Sequence, residues 1–313
     1  MLPEILRRLL ATVPVMVVVA VAVFGLLHLT PGDPAVIIAG DYATTEDIAR
    51  IRAKLGLDKP FFTQVGIWFA QIVRGDLGTS IFSGLPVSTL ISQRVEATAL
   101  LTLYAMLMSV ALGVPLGVIA AWKHGSLVDR VVMIVAVSGF SMPVFWLGFV
   151  LVYVFAITAG WLPVQGYVPI RNGVWPALRH LTLPALTLSV VYMALIARMT
   201  RASMLGVLAE DYIRTAFAKG LAPRRVLVRH ALKNASLPVV TIIGIGFALL
   251  IGGAVVTESV FAIPGLGRLT VDAIIRRDYP VIQGVILIVS GVYVLINLVI
   301  DVLYVVLDPR IRY

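Results

Sequence analysis

The segment AEDYIRTAFAKGLAPRRVLVRHALKNASLP, from Ala209 to Pro238, lies between two long apolar runs, and no other polar stretch of the chain is comparably basic. Acidic residues at Glu210 and Asp211 favour the start of a helix, because carboxylates stabilise a helix N-terminus. Gly220 follows a basic residue and favours the end of that helix. The pattern therefore predicts a short helix over Tyr212–Lys219.

A second short helix is predicted directly after the first. Pro223 suits a first helical position, and Asn234 can close the helix. Between them, Arg224–Lys233 carries five basic residues, His230 included, with aliphatic residues interleaved. Two short basic helices at a membrane face would form a surface for docking a protein partner or acidic lipid. An ordinary positively charged cytoplasmic loop is the alternative interpretation.

Composition assigns the chain to the integral membrane proteins. Of its 313 residues, 60% are hydrophobic and 13% are charged, and ordinary globular proteins carry about twice that charged fraction. The absence of cysteine excludes disulfides and thiolate metal sites. The net charge of +9 lies in loops between apolar runs, so it indicates membrane orientation rather than nucleic acid binding.

Six apolar runs approach the roughly 20 residues that cross a bilayer. The predicted fold class is therefore an all-α integral membrane protein: one transmembrane domain over residues 1–313, with an external segment at 30–96 and a cytoplasmic loop at 201–236. The first run is too long for a secretory signal and lacks a cleavage site, so we expect it to be retained. The runs are Leu9–Leu29, Ala97–Ala121, Val131–Ile157, Leu181–Thr200, Leu237–Val260 and Val281–Leu307.

An even number of spans places both termini on one side, and the basic residues assign that side to the cytoplasm. The loops Thr158–His180 and Phe261–Pro280 are less basic and carry aromatic residues suited to the opposite interface. The cytoplasmic basic residues are Arg7, Arg8, Lys123, Arg130, the eight Lys or Arg residues from Arg198 to Lys233, Arg310 and Arg312.

The external segment is predicted to form a small helical cap. Pro31–Pro34 forces a turn after the first span. Thr45 can cap a helix that runs to Leu55 and ends at Gly56, and Phe61–Val73 has an aromatic, amphipathic pattern. The cap would either receive a soluble partner or shield the tops of the spans.

No catalytic or metal-binding pattern occurs in the sequence. Its four histidines are scattered, and neither a His-Glu-x-x-His motif nor a phosphate-binding glycine loop is present. We read Gly265-Leu-Gly267, which follows a proline, as a tight turn. The chain itself is therefore expected to bind no cofactor and no metal.

Charges inside the predicted spans are sparse. Asn297 and Asp301 are four residues apart and would share one helix face. Contact with an ion path is one role for them; pairing of Asp301 with a basic residue such as Arg198, or with interfacial water, is the preferred one. Glu258 is interpreted similarly. Kinks are predicted at Pro115, Pro143 and Pro184, and close helix packing or a moving pathway at Gly244, Gly246, Gly252 and Gly253.

Several independent stretches then occur in a fixed order. They are PGDP after the first span, LGLDKPFFTQ with GDLGTS in the external segment, RTAFAKGLAPRRVLVRHAL in the basic loop, VFAIPGLGRLTVDAIIRRDYPVIQG before the last span and NLVIDVLYVVLDPRIRY at the end. Together they resemble the permeases of dipeptide, oligopeptide and nickel ABC importers over nearly the whole chain.

The resemblance implies one half of a heterodimeric pore in the bacterial inner membrane, paired with a second homologous permease. It implies that two separate subunits bind ATP and Mg, and that an external solute-binding protein delivers substrate to the external segment and to the loops around Pro169 and Gly265. Membrane lipid is the other partner, and nucleic acid is not expected. The substrate stays open among a dipeptide, a longer peptide, a glutathione-like tripeptide and a nickel chelate.

Such permeases use a cytoplasmic loop to seat in a groove of the ATPase, with the pattern Glu-Ala-Ala, three residues, Gly, nine residues and Ile-x-Leu-Pro. Gly220 keeps the glycine and Leu232 keeps the leucine, whereas Arg214 replaces the Glu and Lys233 replaces the Pro; Leu237-Pro238 supplies a later Leu-Pro. By resemblance, coupling to the ATPase is assigned to Arg214, Thr215, Ala216, Lys219, Gly220, Leu221, Arg224 and Arg225.

Two other classes were weighed. An ion-coupled secondary transporter would show an internal repeat and paired intramembrane charges, and the sequence shows neither convincingly. A membrane-embedded hydrolase would need a base beside a nucleophile such as Ser138 or Ser141, and no histidine lies at a matching depth. The chain is therefore not expected to be an enzyme.

Overall fold

The computed structural model describes residues 2–29, 34–39, 44–54, 56 and 58–307, and its regular structure is helical. Within these residues, extended pairing is limited to one bridge between Thr79 and Pro86. The all-α prediction is confirmed. The predicted turn at residues 31–33 and the basic residues Arg310 and Arg312 lie outside the described residues, as do the side chains of Arg7 and Arg8.

One compact unit comprises residues 1–95 and 269–295. Its first helices are α1 (Leu2–Leu29), α2 (Pro34–Ala39), α3 (Thr45–Lys54) and α4 (Phe61–Val73). The helix predicted over Phe61–Val73 is confirmed at both ends. Thr45 is the first residue of α3 rather than its cap, and Gly56 has the positive φ of +68° expected where a glycine follows a helix.

Two stretches of this unit that are far apart in sequence meet at one carboxylate. Ser80 Oγ donates to Asp278 Oδ2 at 2.5 Å, and the Ile81 amide donates to Asp278 Oδ1 at 3.0 Å. Ser80 and Asp278 are both buried. The motifs GDLGTS and RRDYP are thus parts of a single structural feature. It fixes the backbone before the long helix that begins at Val87.

The second compact unit comprises residues 96–268 and 296–313, and three helices continue from one unit into the other. The remaining helices of the chain are α5 (Val87–Trp122), α6 (Leu127–Ser141), α7 (Val144–Leu151), α8 (Val174–Leu208), α9 (Asp211–Ala218), α10 (Pro223–Arg225), α11 (Lys233–Val260), α12 (Leu266–Ile275) and α13 (Tyr279–Leu307).

Within the described part of the chain, four helical segments are long and apolar enough to cross a membrane, namely Val87–Trp122, Val174–Leu208, Pro223–Val260 and Tyr279–Ile300. A bent helix pair can supply a fifth crossing, and α1 contains the shorter apolar stretch Ala11–Gly25. The helices extend beyond the predicted apolar runs. The run predicted at Leu181–Thr200, for example, lies inside α8, because polar residues at its ends continue the helix beyond the apolar stretch.

The run predicted as one span at Val131–Ile157 is broken. Helix α6 and the helix that follows it meet at an angle of 108° around Met142 and Pro143. Proline disfavours helical geometry in the residue before it, and Met142 is extended, with φ −80° and ψ 136°. A kink at Pro143 was predicted, but not one that separates two helices. After α7 the chain continues as a π-helical segment, Val152–Thr158.

The second short basic helix does not exist as a separate element. Pro223 begins α10 at a first helical position, as predicted, but the chain then runs through a π-helical segment, Val226–Leu232, directly into α11. Asn234 does not close a helix. Its side-chain nitrogen Nδ2 donates to the Tyr212 hydroxyl at 2.6 Å. The basic residues after Pro223 therefore form the start of the long helical segment that ends at Val260.

Two glycines allow α5 to approach α8 closely. A Cβ atom at Gly113 would lie 2.9 Å from the Met193 carbonyl oxygen, and one at Gly117 would lie 2.6 Å from the Ala197 carbonyl oxygen. The spacing Gly-x-x-x-Gly places both on one helix face, an arrangement common where membrane helices pack backbone to backbone. Gly244 and Gly246 of α11 lie close to the side chains of Ile300 and Tyr192, so close packing is confirmed at these two positions. A Cβ at Gly252 would meet nothing within 4 Å and one at Gly253 would meet only the Tyr192 hydroxyl at 3.8 Å, so the prediction fails there.

Candidate functional site

Helix α9 is short and has a defined end. Its N-cap is Glu210 and its C-cap is Lys219. Gly220 follows with φ +75°, its amide donates to the Phe217 carbonyl at 2.9 Å, and the Leu221 amide donates to the Ala216 carbonyl at 3.3 Å. These two bonds form a Schellman motif, which requires a left-handed residue at the position of Gly220. The predicted helix and its glycine terminator are confirmed.

One face of α9 is anchored to the chain itself. Ile213 and Ala216 are buried in a small apolar cluster that also holds residues from the C-terminal ends of α5 and α8 and from the start of the long helical segment that follows. The remaining buried members of the cluster are Ala121, Met204, Val226, Leu227, Ala231 and Ala235. Displacement of α9 would therefore act on the ends of three long helices together.

The other face of α9 and the turn after it are exposed. They combine basic side chains with apolar ones, including Phe217, whose side chain is 41% exposed. Arg214 makes an exposed ion pair with Asp211 at 3.3 Å, which contributes little to stability. We call this face the basic surface and define it as Tyr212, Arg214, Thr215, Phe217, Lys219, Gly220, Arg224, Arg225, Val228 and Arg229.

The structure brings most of the assigned coupling residues to this surface. Leu221 is partly buried in the cluster, and the other assigned residues except one are exposed. The exception is Ala216, which is 8% exposed and packs inside the chain. Ala216 therefore faces the chain's own cluster rather than the exposed surface, because a residue three after Ile213 falls on the same side of the helix.

A second polar site joins the start of α6 to the end of α8, and the sequence analysis did not identify it. Asp129 Oδ1 accepts from Arg201 Nε at 2.6 Å, and Asp129 Oδ2 accepts from Arg201 Nη2 at 2.8 Å. The Gly125 amide also donates to Oδ2 at 3.0 Å, and His124 Nδ1 lies 3.3 Å from it. The carboxylate is buried. A Ser-x-x-Asp pattern at Ser126 could have indicated it, since such a pattern before an apolar run marks a helix start.

Glu258 is fully buried near the end of α11 and binds the loop that follows. It accepts from Thr98 Oγ1 at 2.5 Å and from the Arg268 amide at 2.8 Å, while Thr98 Oγ1 accepts from the Leu266 amide at 2.8 Å. These bonds give Glu258 a structural role through a threonine hydroxyl and a backbone amide.

This arrangement corrects the explanation of Gly265-Leu-Gly267. Neither glycine has a positive φ, so a tight turn is not what requires them. A Cβ at Gly265 would overlap the Glu258 carboxylate, and one at Gly267 would lie 2.6 Å from the Val255 Cα. The glycines are needed because this part of the chain, the loop and the first turn of α12, passes directly against α11.

A third carboxylate organises another loop of the same unit, between α7 and α8. Glu96 Oε1 accepts from the Tyr167 hydroxyl at 2.9 Å and from the Ile170 amide at 2.9 Å. Burial, and then the neighbouring Glu96 carboxylate, raise the pKa of the Tyr167 hydroxyl above its ordinary value, so it stays a proton donor at physiological pH. The loop is thus tied to α5.

Two further sequence predictions concern metal binding and the pairing of Asp301. Among the described residues, no group of three or more His, Asp or Glu side chains is arranged to hold a metal ion. Arg198 is exposed on α8, and the side chain of Asp301, its expected partner, lies outside the described residues. That pairing stays a prediction.

Two family models match the chain. The binding-protein-dependent transport system inner membrane component matches residues 113–313, and the N-terminal model of the binding-protein-dependent transport system membrane component matches residues 1–102. The first includes α9, the basic surface and the Asp129–Arg201 pair, and the second includes α4.

Curated relatives align over the full length. A probable peptide ABC transporter permease of Sinorhizobium fredii is 54% identical over 99% of both chains. A dipeptide transport system permease of Alkalihalophilus pseudofirmus is 42% identical, and a glutathione transport system permease of Salmonella choleraesuis is 45% identical, each over 100% of both chains.

Among solved structures, the MetNI methionine ABC transporter in an inward-facing conformation contains a chain that resembles this one with a TM-score of 0.59. The alignment covers 71% of this chain and 97% of that one at 19% identity. This likeness shows a shared fold.

Proposed function

Because the chain belongs to the family of binding-protein-dependent transport system inner membrane components, we propose that it is the membrane subunit of an ATP-driven importer of short peptides. The peptide class is supported by relatives that are named for peptide, dipeptide and glutathione transport and that match over their full length. The chain would form one half of the pore, with a second homologous permease as the other half.

Six crossings fit this role. The four long helical segments and the bent pair would supply five, and α1 would supply the sixth. An even number of crossings, with the basic loops inside, would put both termini in the cytoplasm of a bacterial cell. A polar peptide cannot cross a hydrocarbon layer of about 30 Å unless protein encloses it. The pore must also open to one side at a time, so concentrative uptake needs an energy source.

That energy is assigned to two separate subunits that bind ATP and Mg, since the chain has no phosphate-binding glycine motif. The basic surface is the proposed docking site for one of them. One observation carries this assignment: α9 is anchored on one face by the chain's own apolar cluster and exposes Phe217 and basic residues on the other. A partner that moved α9 would thereby move the ends of α5, α8 and α11.

On the external side, a soluble binding protein is proposed to deliver the peptide. Its contact region would include the loops fixed by Glu96 and by Glu258, because each loop is tied to a long helix by hydrogen bonds. Docking there could thus be transmitted to the pore helices.

Reconstitution tests the whole proposal. The chain is purified with the products of neighbouring genes, placed in liposomes, and assayed for ATP hydrolysis and peptide uptake with and without the binding protein. We expect an ATPase to co-purify and peptide with binding protein to stimulate hydrolysis. Uptake that proceeds without ATP and follows an ion gradient would instead establish a secondary transporter.

Topology is tested separately by cysteine labelling, since the chain has no cysteine of its own. A cysteine at Asp47 should react with an impermeant reagent from outside, and one at Arg224 only from inside. The opposite pattern would overturn the orientation.

A further inference from the structure

Helix α4 exposes an apolar stripe that nothing in its own unit covers. Its sequence, FFTQVGIWFAQIV, contains no charged residue. Phe62 is 86% exposed and Val73 is 73% exposed, and Phe69, between them, is also exposed. Residues at positions i, i+7 and i+11 of a helix lie on one side. The three side chains therefore form a continuous stripe along the helix.

The neighbouring stripe of α4 packs against α1. The ring centroid of Phe61 lies 5.8 Å from that of Phe24, and the ring centroid of Trp68 lies 5.2 Å from it. Phe61 and Trp68 thus both contact a single side chain of α1.

The position of Phe24 fixes the depth of α4. Phe24 lies five residues before the end of α1 at Leu29, which is about 7.5 Å along a helix axis. On the proposed function, α1 crosses the membrane, so Phe24 lies inside the hydrocarbon region. An interfacial helix buries its apolar face about 5–10 Å into the boundary between headgroups and acyl chains, and the contacts of Phe61 and Trp68 place α4 at such a depth.

Length excludes the alternative of a crossing helix. The 13 residues of α4 extend about 20 Å, which is less than the roughly 30 Å of a bilayer core. Its polar residues Thr63 and Gln71 lie away from the Phe62 stripe, and cations flank both ends at Lys59 and Arg74. Such flanking cations and aromatic residues are typical of segments at a membrane surface.

We propose that α4 lies in the outer membrane interface, with Phe62, Phe69 and Val73 in contact with lipid acyl chains. The occupant of the stripe is lipid rather than the external binding protein. The inference rests on the proposed crossing by α1 and goes beyond it, because it attaches α4 to the bilayer in addition to the crossing helices rather than making it a cap in water.

Spin labels on single cysteines test this directly in the assembled transporter in nanodiscs, with the complex of the unsubstituted chain as background. Phe62→Cys and Val73→Cys report on the stripe, and Thr63→Cys and Gln71→Cys are matched controls on the same helix. Collision with oxygen, which partitions into lipid, is compared with collision with a water-soluble nickel complex. We expect oxygen to dominate at positions 62 and 73 and nickel to dominate at positions 63 and 71.

Two results would overturn the inference. Dominant nickel collision at all four positions would place α4 in water, and low collision with both reagents at positions 62 and 73 would show that protein covers the stripe. A label at Val18, which is 67% exposed on α1, separates this failure from failure of the membrane crossing. Oxygen at position 18 with nickel at position 62 rejects only the α4 proposal, whereas nickel at position 18 rejects the crossing by α1 and the α4 proposal with it.

Discussion

Arg201 near the end of α8 holds Asp129 at the start of α6 through two parallel hydrogen bonds, at 2.6 Å and 2.8 Å. Bidentate pairs of this kind fix geometry as well as charge, because the planar guanidinium matches the carboxylate. Arg201 lies on α8, seven residues before that helix ends at Leu208, and α9 begins soon after. The Asp129–Arg201 pair therefore connects the start of α6 to the helix that leads into the basic surface.

Removing the arginine should destabilise the chain, because a buried carboxylate would lose its charged partner. We expect Arg201→Ala to lower the free energy of unfolding by about 2 kcal/mol. Arg201→Lys should recover only part of this, since lysine keeps the charge without the fork. The effect is measured by heating the protein in detergent and following the folded fraction by fluorescence-detected size-exclusion chromatography. Arg130→Ala is the control: Arg130 is exposed on α6 beside Asp129, so equal losses for both variants would contradict the role of the pair.

Thr98 should be more important than its neighbour Thr102, although both are buried threonines of α5. Thr98 Oγ1 links the Leu266 amide to Glu258, whereas Thr102 Oγ1 donates to carbonyls within its own helix. Thr98→Val removes both of these buried hydrogen bonds and should cost about 2 kcal/mol, with Thr102→Val costing less than about 1 kcal/mol. Proteolysis of the loop around Gly265 checks this, and equal protection in both variants would show that the network does not hold the loop.

Close approach of α5 and α8 makes Gly117 intolerant of a methyl group. A Cβ there would lie 2.6 Å from both the Ala197 carbonyl oxygen and the Thr200 Cβ, and overpacking of this kind costs about 1–3 kcal/mol. Gly206→Ala is the matched control, because a Cβ at Gly206 meets nothing within 4 Å. It should be neutral or stabilising by up to about 1 kcal/mol. If thermal unfolding shows the same change for both, the helix contact does not depend on glycine.

Local signals in the sequence predicted local structure well. Gly220 predicted the end of α9, because a glycine directly after a residue such as Lys219 commonly takes the left-handed conformation that ends a helix. The bounds of α4 were predicted because an aromatic, amphipathic pattern runs from Phe61 to Val73 and stops at Arg74-Gly75. These features depend on residues within one or two helical turns.

Features that depend on distant residues could not be predicted. Nothing near Asp129 in sequence specifies Arg201, which is 72 residues away, and nothing near Gly265 indicates that Glu258 occupies the space a Cβ would need. The continuation of α10 into α11 was missed for a related reason. Asn234 favours a helix end in isolation, but here its side chain is bound by Tyr212 of α9 and the backbone continues as helix.

Gly220 offers a test of backbone conformation without a change in packing, because a Cβ there meets nothing within 4 Å. Gly220→Val should cost about 1–2 kcal/mol locally, since a β-branched residue is strongly disfavoured at φ +75°. Gly220→Asn should be much milder, because asparagine tolerates left-handed geometry. We expect the valine variant to insert into the membrane but to lose peptide-stimulated ATP hydrolysis. Normal stimulation in that variant would mean that the end of α9 is not needed for coupling.

The last prediction separates a protein groove from a lipid surface as the partner of Arg224 and Arg225. Both residues are exposed on the basic surface. Basic residues near an anionic leaflet contribute about 1 kcal/mol each, and lysine serves as well as arginine. A protein groove also requires the shape of the guanidinium and its five donors. The double change Arg224→Lys and Arg225→Lys should therefore reduce co-purification of the ATPase and peptide-stimulated hydrolysis while the chain stays folded in the membrane.

The double change to alanine provides the comparison, because it removes the charge as well. If the lysine variant couples like the unsubstituted chain and only the alanine variant fails, charge alone is sufficient and the groove is not supported at these positions. Phe217→Ser then tests the apolar part of the same surface. Phe217 is 41% exposed, so the substitution should lower the free energy of unfolding by about 1–2 kcal/mol, for the part of the ring that the chain itself buries, while weakening a partner that buries the rest. Ala216 is unsuitable for this purpose, since a larger residue there would disrupt the chain's own cluster and reduce coupling whether or not a partner docks.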